Sequence, residues 1–136
     1  MRILAVDFGD TRTGVAVSDA TKTLVGDAWI ILSKKMPETA QKVAQEAAKR
    51  NVSCIVIGLP KNMDGTIGKR AEKSKELAEY LGTLTKAEIK LWDERLTTIS
   101  ASRVLKETGN FGKKRKQKID AVAASIILES YIAYIS

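Results

Sequence analysis

Short unbroken apolar runs alternate with longer stretches of helical period, and this pattern predicts most of the elements. Ile3 to Val6 is continuously apolar, as expected of a strand covered on both faces at the centre of a sheet. Gly9, Asp10 and Gly14 supply turn chemistry, and Val15-Ala16-Val17 resumes the β pattern, which predicts a hairpin. Leu24 to Leu32 reads as a third strand, with a bulge or bend at Gly26-Asp27. From Pro37 to about Arg50 the period becomes helical, with Ala40, Val43, Ala44 and Ala47 on one face and Asn51 at the end. Val52 to Gly58 is a second buried-type strand. The crossover helix before it predicts parallel pairing with the first strand.

The second half continues in the same way. Lys69 to Leu81 reads as an amphipathic helix stopped by Gly82, and Glu88 to Trp92 as a short strand. Thr97 or Thr98 is placed to cap a helix through Ala101, Val104 and Leu105, closed by Gly109-Asn110-Phe111-Gly112. A strongly apolar helix then runs from Ile119 to the C-terminus.

Acids interrupt this pattern at three places. Asp7 ends the first strand, where it is either a turn residue or a metal ligand. Asp93-Glu94 follows the last strand. At helical spacing Asp120 shares a face with Ala124, Ile127 and Tyr131, so it points along the stripe expected to pack on the sheet. It is either a first-turn acid favoured by the helix dipole or an acid delivered to the strand ends by a close-packing, alanine-rich helix. The loop from Leu59 to Gly68 leaves the C-terminal end of a parallel strand, where open α/β sheets build ligand sites.

Composition limits the chemistry. The chain has no histidine and one cysteine, Cys54, inside an apolar run. That removes the usual general base and the usual zinc ligands, leaving carboxylates, lysines and hydroxyls. With 136 residues, residues 1–136 are expected to form one domain, and no apolar run has the length of a membrane span. The first residues read as a strand rather than a secretory signal, so a cytoplasmic location is expected. A net charge of +7 favours a polyanionic partner, and the densest basic run is Lys113-Lys114-Arg115-Lys116-Gln117-Lys118. Aromatic residues make up only 5% of the chain, which gives little sign of a base-stacking platform.

The order β-β-β-α-β-α-β-α-α, with acids at Asp7, Asp93-Glu94 and Asp120, resembles the ribonuclease H-like fold: an α/β domain with a mixed five-stranded sheet, three antiparallel strands followed by parallel ones, flanked by helices. Asp7-Phe8-Gly9 with Arg12, Gly14, Ala16, Ser18 and Asp19, then Gly58-Leu59-Pro60 with Asn62-Met63-Asp64-Gly65, Asp93-Glu94-Arg95-Leu96-Thr97-Thr98 and Asp120-Ala121-Val122-Ala123-Ala124 resemble the YqgF family, also called RuvX. The resemblance spans essentially the whole chain. It implies a cytoplasmic bacterial nuclease, processing the 5′ end of the 16S ribosomal RNA precursor or, alternatively, resolving Holliday junctions. It carries catalytic and metal-binding roles most directly onto Asp7 and Asp120. The middle acid falls to Glu94, with Asp93 as competitor, because Leu59-Pro60 occupies the place after the fourth strand where many nucleases of this fold carry an acid.

Such a carboxylate cluster selects hard cations, Mg²⁺ or Mn²⁺. Arg12, Lys113, Lys114, Arg115 and Lys116 are then the expected phosphate contacts, although Arg12 has Asp10 and Asp19 as alternative partners within its turn. A nucleic acid is the expected partner, either rRNA precursor or branched DNA. A homodimer would suit a two-fold junction, with Tyr131, Ile132 and Tyr134 as candidate surface positions. Two other functions fit parts of the pattern. Asp7 to Gly14 resembles the first phosphate loop of actin-like ATPases, though those use duplicated cores, and a non-catalytic nucleic-acid-binding protein would keep the same fold.

Overall fold

The computed structural model describes residues 2–22, 24–60, 68–93 and 121–135. The elements in chain order are β1 (Arg2–Asp7), β2 (Arg12–Ser18), β3 (Val25–Leu32), α1 (Met36–Lys49), β4 (Val52–Leu59), α2 (Lys69–Leu84), β5 (Glu88–Asp93) and α3 (Val122–Ile135). The strands form one sheet in the order β3-β2-β1-β4-β5. Pairing is antiparallel across β1–β2 and β2–β3 and parallel across β1–β4 and β4–β5. The apolar run of β1 is therefore central, as its lack of alternation predicts.

Strand alternation divides the core into two layers. Leu4, Val6, Val15, Ile55 and Ile57 face one side and pack with Val43 and Ala47 of α1 and Leu77 and Leu81 of α2. Ile3, Ala5, Ala16, Cys54 and Val56 face the other side and pack under Ala124, Ile127, Leu128, Tyr131 and Ile132 of α3. Alanines on both the sheet and the helix let α3 lie close to β1 and β2.

Several local devices match the sequence. The β2–β3 register skips between Val17 and Ser18, leaving Gly26 as the extra residue of a bulge. Asn51 closes α1 in a left-handed conformation, φ 57°, and its N–H donates to the Ala48 carbonyl at 3.4 Å. On the edge strand, Trp29 lies under the Arg50 guanidinium, 4.3 Å from the ring centre.

Two expectations are corrected. Gly82 does not stop α2, which runs through it to Leu84 before Thr85 turns extended into β5. Glycine ends a helix when it adopts the left-handed conformation, and Gly82 keeps helical backbone at an open position. Tyr131 and Ile132 are not surface positions: they are 6% and 7% exposed, on the face of α3 that packs on the sheet, whereas Tyr134 is 72% exposed. Among the described residues, no helix is long and apolar enough to cross a membrane.

Candidate active site at the carboxyl end of the central strand

Asp7 is the last residue of β1, and alternation places it with Ile3 and Ala5 on the α3 face of the sheet. Its surroundings follow from the register. Gly14 stands directly opposite Asp7 on β2. On the other side Val6 pairs with Ile57, so the next step along the parallel strands brings Gly58 beside Asp7. Gly58 in turn pairs with Trp92 on β5. The half-buried carboxylate thus has glycine on both neighbouring strands, so neither neighbour adds a side chain to the sheet surface around it.

The loop after Asp7 is stapled rather than loose. Thr13 is fully buried, and its Oγ1 donates to the Gly9 carbonyl and accepts from the Gly9 N–H, each at 3.4 Å. A Cβ added to Gly9 would fall on the Arg12 carbonyl oxygen, so only glycine fits that close approach. Arg12 shares the parity of Gly14 and Ala16, which places it on the α3 face two residues beyond the position opposite Asp7. Asp10 and Asp19 make contacts of their own. Asp10 forms an ion pair with Lys73 of α2 at 2.7 Å. Asp19 lies beyond the far end of β2, more than about 20 Å along the strand at roughly 3.3 Å per residue. There its carboxylate accepts from Thr21 Oγ1 at 2.9 Å and organises the next turn.

On β5, Ile89 packs into the α1/α2 layer and Trp92 into the α3 layer. Asp93 therefore takes the α1/α2 side of the sheet, the face opposite to Asp7. Trp92 meets Tyr131 edge-on at 5.5 Å and Tyr134 at 5.2 Å, tying the end of β5 to α3. Cys54 is not poised for chemistry, because burial pushes its thiol above the usual range and it lies in the core.

Glu94, Asp120, Lys113, Lys114, Arg115 and Lys116 lie outside the described residues. Among the described residues, no three acids, histidines or cysteines converge on one point. What is described, a carboxylate oxygen with glycine-cleared flanks, fits a hard cation in its donor chemistry. Sequence reasoning missed Thr13, whose only local signal is its spacing from Gly9. It also missed Lys73, whose partner lies 63 residues away.

Three strands meandering antiparallel, two more joining parallel and an acid ending the central strand define the ribonuclease H-like class. Solved structures agree at the level of fold. RuvC of T. thermophilus in complex with a Holliday junction substrate matches with a TM-score of 0.75 at 9% identity, over 99% of this chain and 94% of that one. The fowlpox virus resolvase in complex with Holliday junction DNA matches with a TM-score of 0.63 at 14% identity, over 99% of both chains. The family described as "RuvX: Holliday junction resolvase" matches residues 1–134, and the chain belongs to that family. A relative from Halothermothrix orenii is 43% identical over 134 residues, 98% of this chain and 96% of its own length. One from Agathobacter rectalis is 42% identical over 139 residues, 100% of this chain and 97% of its own. Both carry the name "Putative pre-16S rRNA nuclease".

Proposed function

We propose that the chain is a divalent-metal-dependent nuclease that processes the 5′ end of the 16S ribosomal RNA precursor, with Asp7, Glu94 and Asp120 as its catalytic and metal-binding acids. The observation that carries this reading is the half-buried carboxylate of Asp7, flanked by Gly14 on one neighbouring strand and by the Gly58 position on the other. The names of the full-length relatives supply the substrate.

Strand parity favours Glu94 over Asp93. Asp93 falls on the α1/α2 side, away from the face of Asp7, and this reading therefore takes Glu94 as the middle acid. Asp120 directly precedes Ala121, which is buried, and α3 packs on that same face through Ala124 and Ile127. These acids would hold Mg²⁺ or Mn²⁺, which when bound polarises a scissile phosphodiester and lowers the pKa of bound water. Arg12 engages backbone phosphate on the Asp7 face, and Lys113, Lys114, Arg115 and Lys116 add phosphate contacts that position the strand without reading bases.

The test is cleavage of end-labelled 16S precursor fragments and of a synthetic four-way junction, side by side, with Mg²⁺, Mn²⁺ or EDTA. Metal-dependent trimming of the precursor by the wild type, absent in Asp7→Asn and Glu94→Gln and retained in Asp93→Asn, is the expected result. Symmetrical cutting of the junction alone would replace the substrate with branched DNA. That second reading is favoured by the family description and would call for a homodimer. Binding of either substrate with no cleavage would make the chain a binding protein.

A further inference from the structure

At the end of the sheet that carries Asp7, the α1/α2 side has a second concavity that the proposed chemistry does not use. A cavity of about 430 Å³ opens between the β1–β2 loop, the approach to α1 and the first half of α2. Its lining is Phe8, Asp10 and Thr11 from the loop, Lys34 and Met36 from the approach to α1, and Lys73 from α2. Phe8 and Met36 pack onto the aliphatic core beneath, whereas Lys34 and Lys73 are exposed. The lining therefore combines an apolar base with two ammonium groups from different elements and a single carboxylate.

That carboxylate positions one of the cations. Lys73 Nζ lies 2.7 Å from Asp10 Oδ1, which holds a flexible side chain over the cavity. Part of the rotamer entropy lost on engaging a ligand is then already lost in the free protein. Arg70, one turn earlier on α2, also acts on Asp10 and adds to the positive potential there. Phe8 follows Asp7 directly, so a strand held at Asp7 reaches this cavity by crossing the β1–β2 loop.

We propose that this cavity is a subsite for the backbone phosphate of a nucleic-acid strand, next to the segment held at Asp7, with Lys34 and Lys73 as the phosphate contacts. The proposal rests on the nuclease reading and adds to it a second anchoring point on the opposite face of the sheet. Two cations with one acid suit a phosphodiester, which carries one negative charge and no requirement for base recognition.

The test is binding of a fluorescently labelled single-stranded RNA by anisotropy across a salt series, without divalent ions, using the full chain. The Lys34→Gln/Lys73→Gln double variant is compared with Lys49→Gln/Lys86→Gln, which removes the same charge at the other end of the sheet. The expected result is a salt slope lower by about 1.4 in the first variant, two single-strand phosphate contacts at roughly 0.7 each, and an unchanged slope in the second. Equal slopes in the wild type and both variants, or equal flattening in both variants, would overturn the subsite. If that happens while cleavage still requires Asp7, the subsite fails alone. If the wild type shows no salt-dependent binding, the nuclease reading fails with it.

Discussion

The two faces of the sheet are built from different residues. The α1/α2 face is a continuous aliphatic layer of Leu4, Val6, Val15, Ile55, Ile57, Leu77 and Leu81. The α3 face is stocked with Ala5, Ala16, Cys54 and Ala124, and its row at the end of β1 pairs Asp7 with Gly14. Large side chains fill one side and pack it against two helices. On the other side alanines among larger residues such as Ile3, Val56 and Ile127 bring a single helix close, and glycine clears the surface around a carboxylate. The aliphatic layer and the proposed chemistry thereby fall on opposite faces of the same strands, one residue apart in sequence.

Substitutions on alternate residues test this division. Asp7→Asn is expected to lower metal-dependent cleavage by about 10²–10³-fold or more, the scale on which single groups that stabilise transition-state charge act, while stability stays within about 1 kcal/mol. Chemical denaturation measured beside the cleavage assay checks both halves. Ile57→Ala, on the aliphatic face, is expected to show the reverse: a loss of about 2–5 kcal/mol from cavity formation, with cleavage per folded molecule retained. Equal losses of stability in the two variants would break the comparison. Gly14→Ala sharpens it, because the methyl lands roughly 4.5–5.5 Å from the Asp7 Cβ. Replacing a strand glycine is worth about 0.5–1 kcal/mol in chain entropy, so cleavage is expected to fall at least about tenfold without a matching loss of stability.

The sequence was most legible where one local pattern decides the outcome. The apolar run of β1, the bulge at Gly26 and the left-handed stop at Asn51 each follow from a few neighbouring residues. Legibility failed where a distant partner decides. Lys73 reaches Asp10 across 63 residues, and nothing near either residue announces the pair. The end of α2 is set by the path into β5 rather than by Gly82. In α3 the apolar residues run almost all round the helix, so the sequence could not separate the buried Tyr131 and Ile132 from the exposed Tyr134. The candidate site divides in the same way. Asp7 is legible as a strand-end acid, but that Asp93 turns away from the Asp7 face needed the packing of Ile89 and Trp92, which fixes the parity of β5.

A smaller effect separates the two faces by pH. On the α3 side, burial pushes both the Cys54 thiol and the Tyr131 phenol above their ordinary ranges. The folded chain keeps protons there that the unfolded chain releases. Their contribution to stability is therefore full below the ordinary thiol and phenol values and is lost as pH rises through the raised ones. Stability curves are expected to fall on the alkaline side, and less steeply in Cys54→Ala after its cavity cost is subtracted.

On the α1/α2 side the corresponding group is Asp10, and the sign is opposite. The hydrogen bond from Lys73, and then its charge, hold the Asp10 carboxyl below its ordinary value, with Arg70 adding a smaller pull in the same direction. A depressed carboxyl contributes its stability above the ordinary value and loses it as pH falls through the folded one. Both side chains are exposed, so solvent screening keeps the energetic effect small and the position of the titration is the better readout. Following the Asp10 carboxyl carbon by NMR, Lys73→Met is expected to return its midpoint toward the ordinary carboxylate range. High salt is expected to do the same in part for the wild type, because an exposed pair is screened. An Asp10 midpoint indifferent to Lys73 would mean that the ammonium is not held over the cavity. The second phosphate anchor would then lose its preorganised cation, while Asp7 and the opposite face would stand as before.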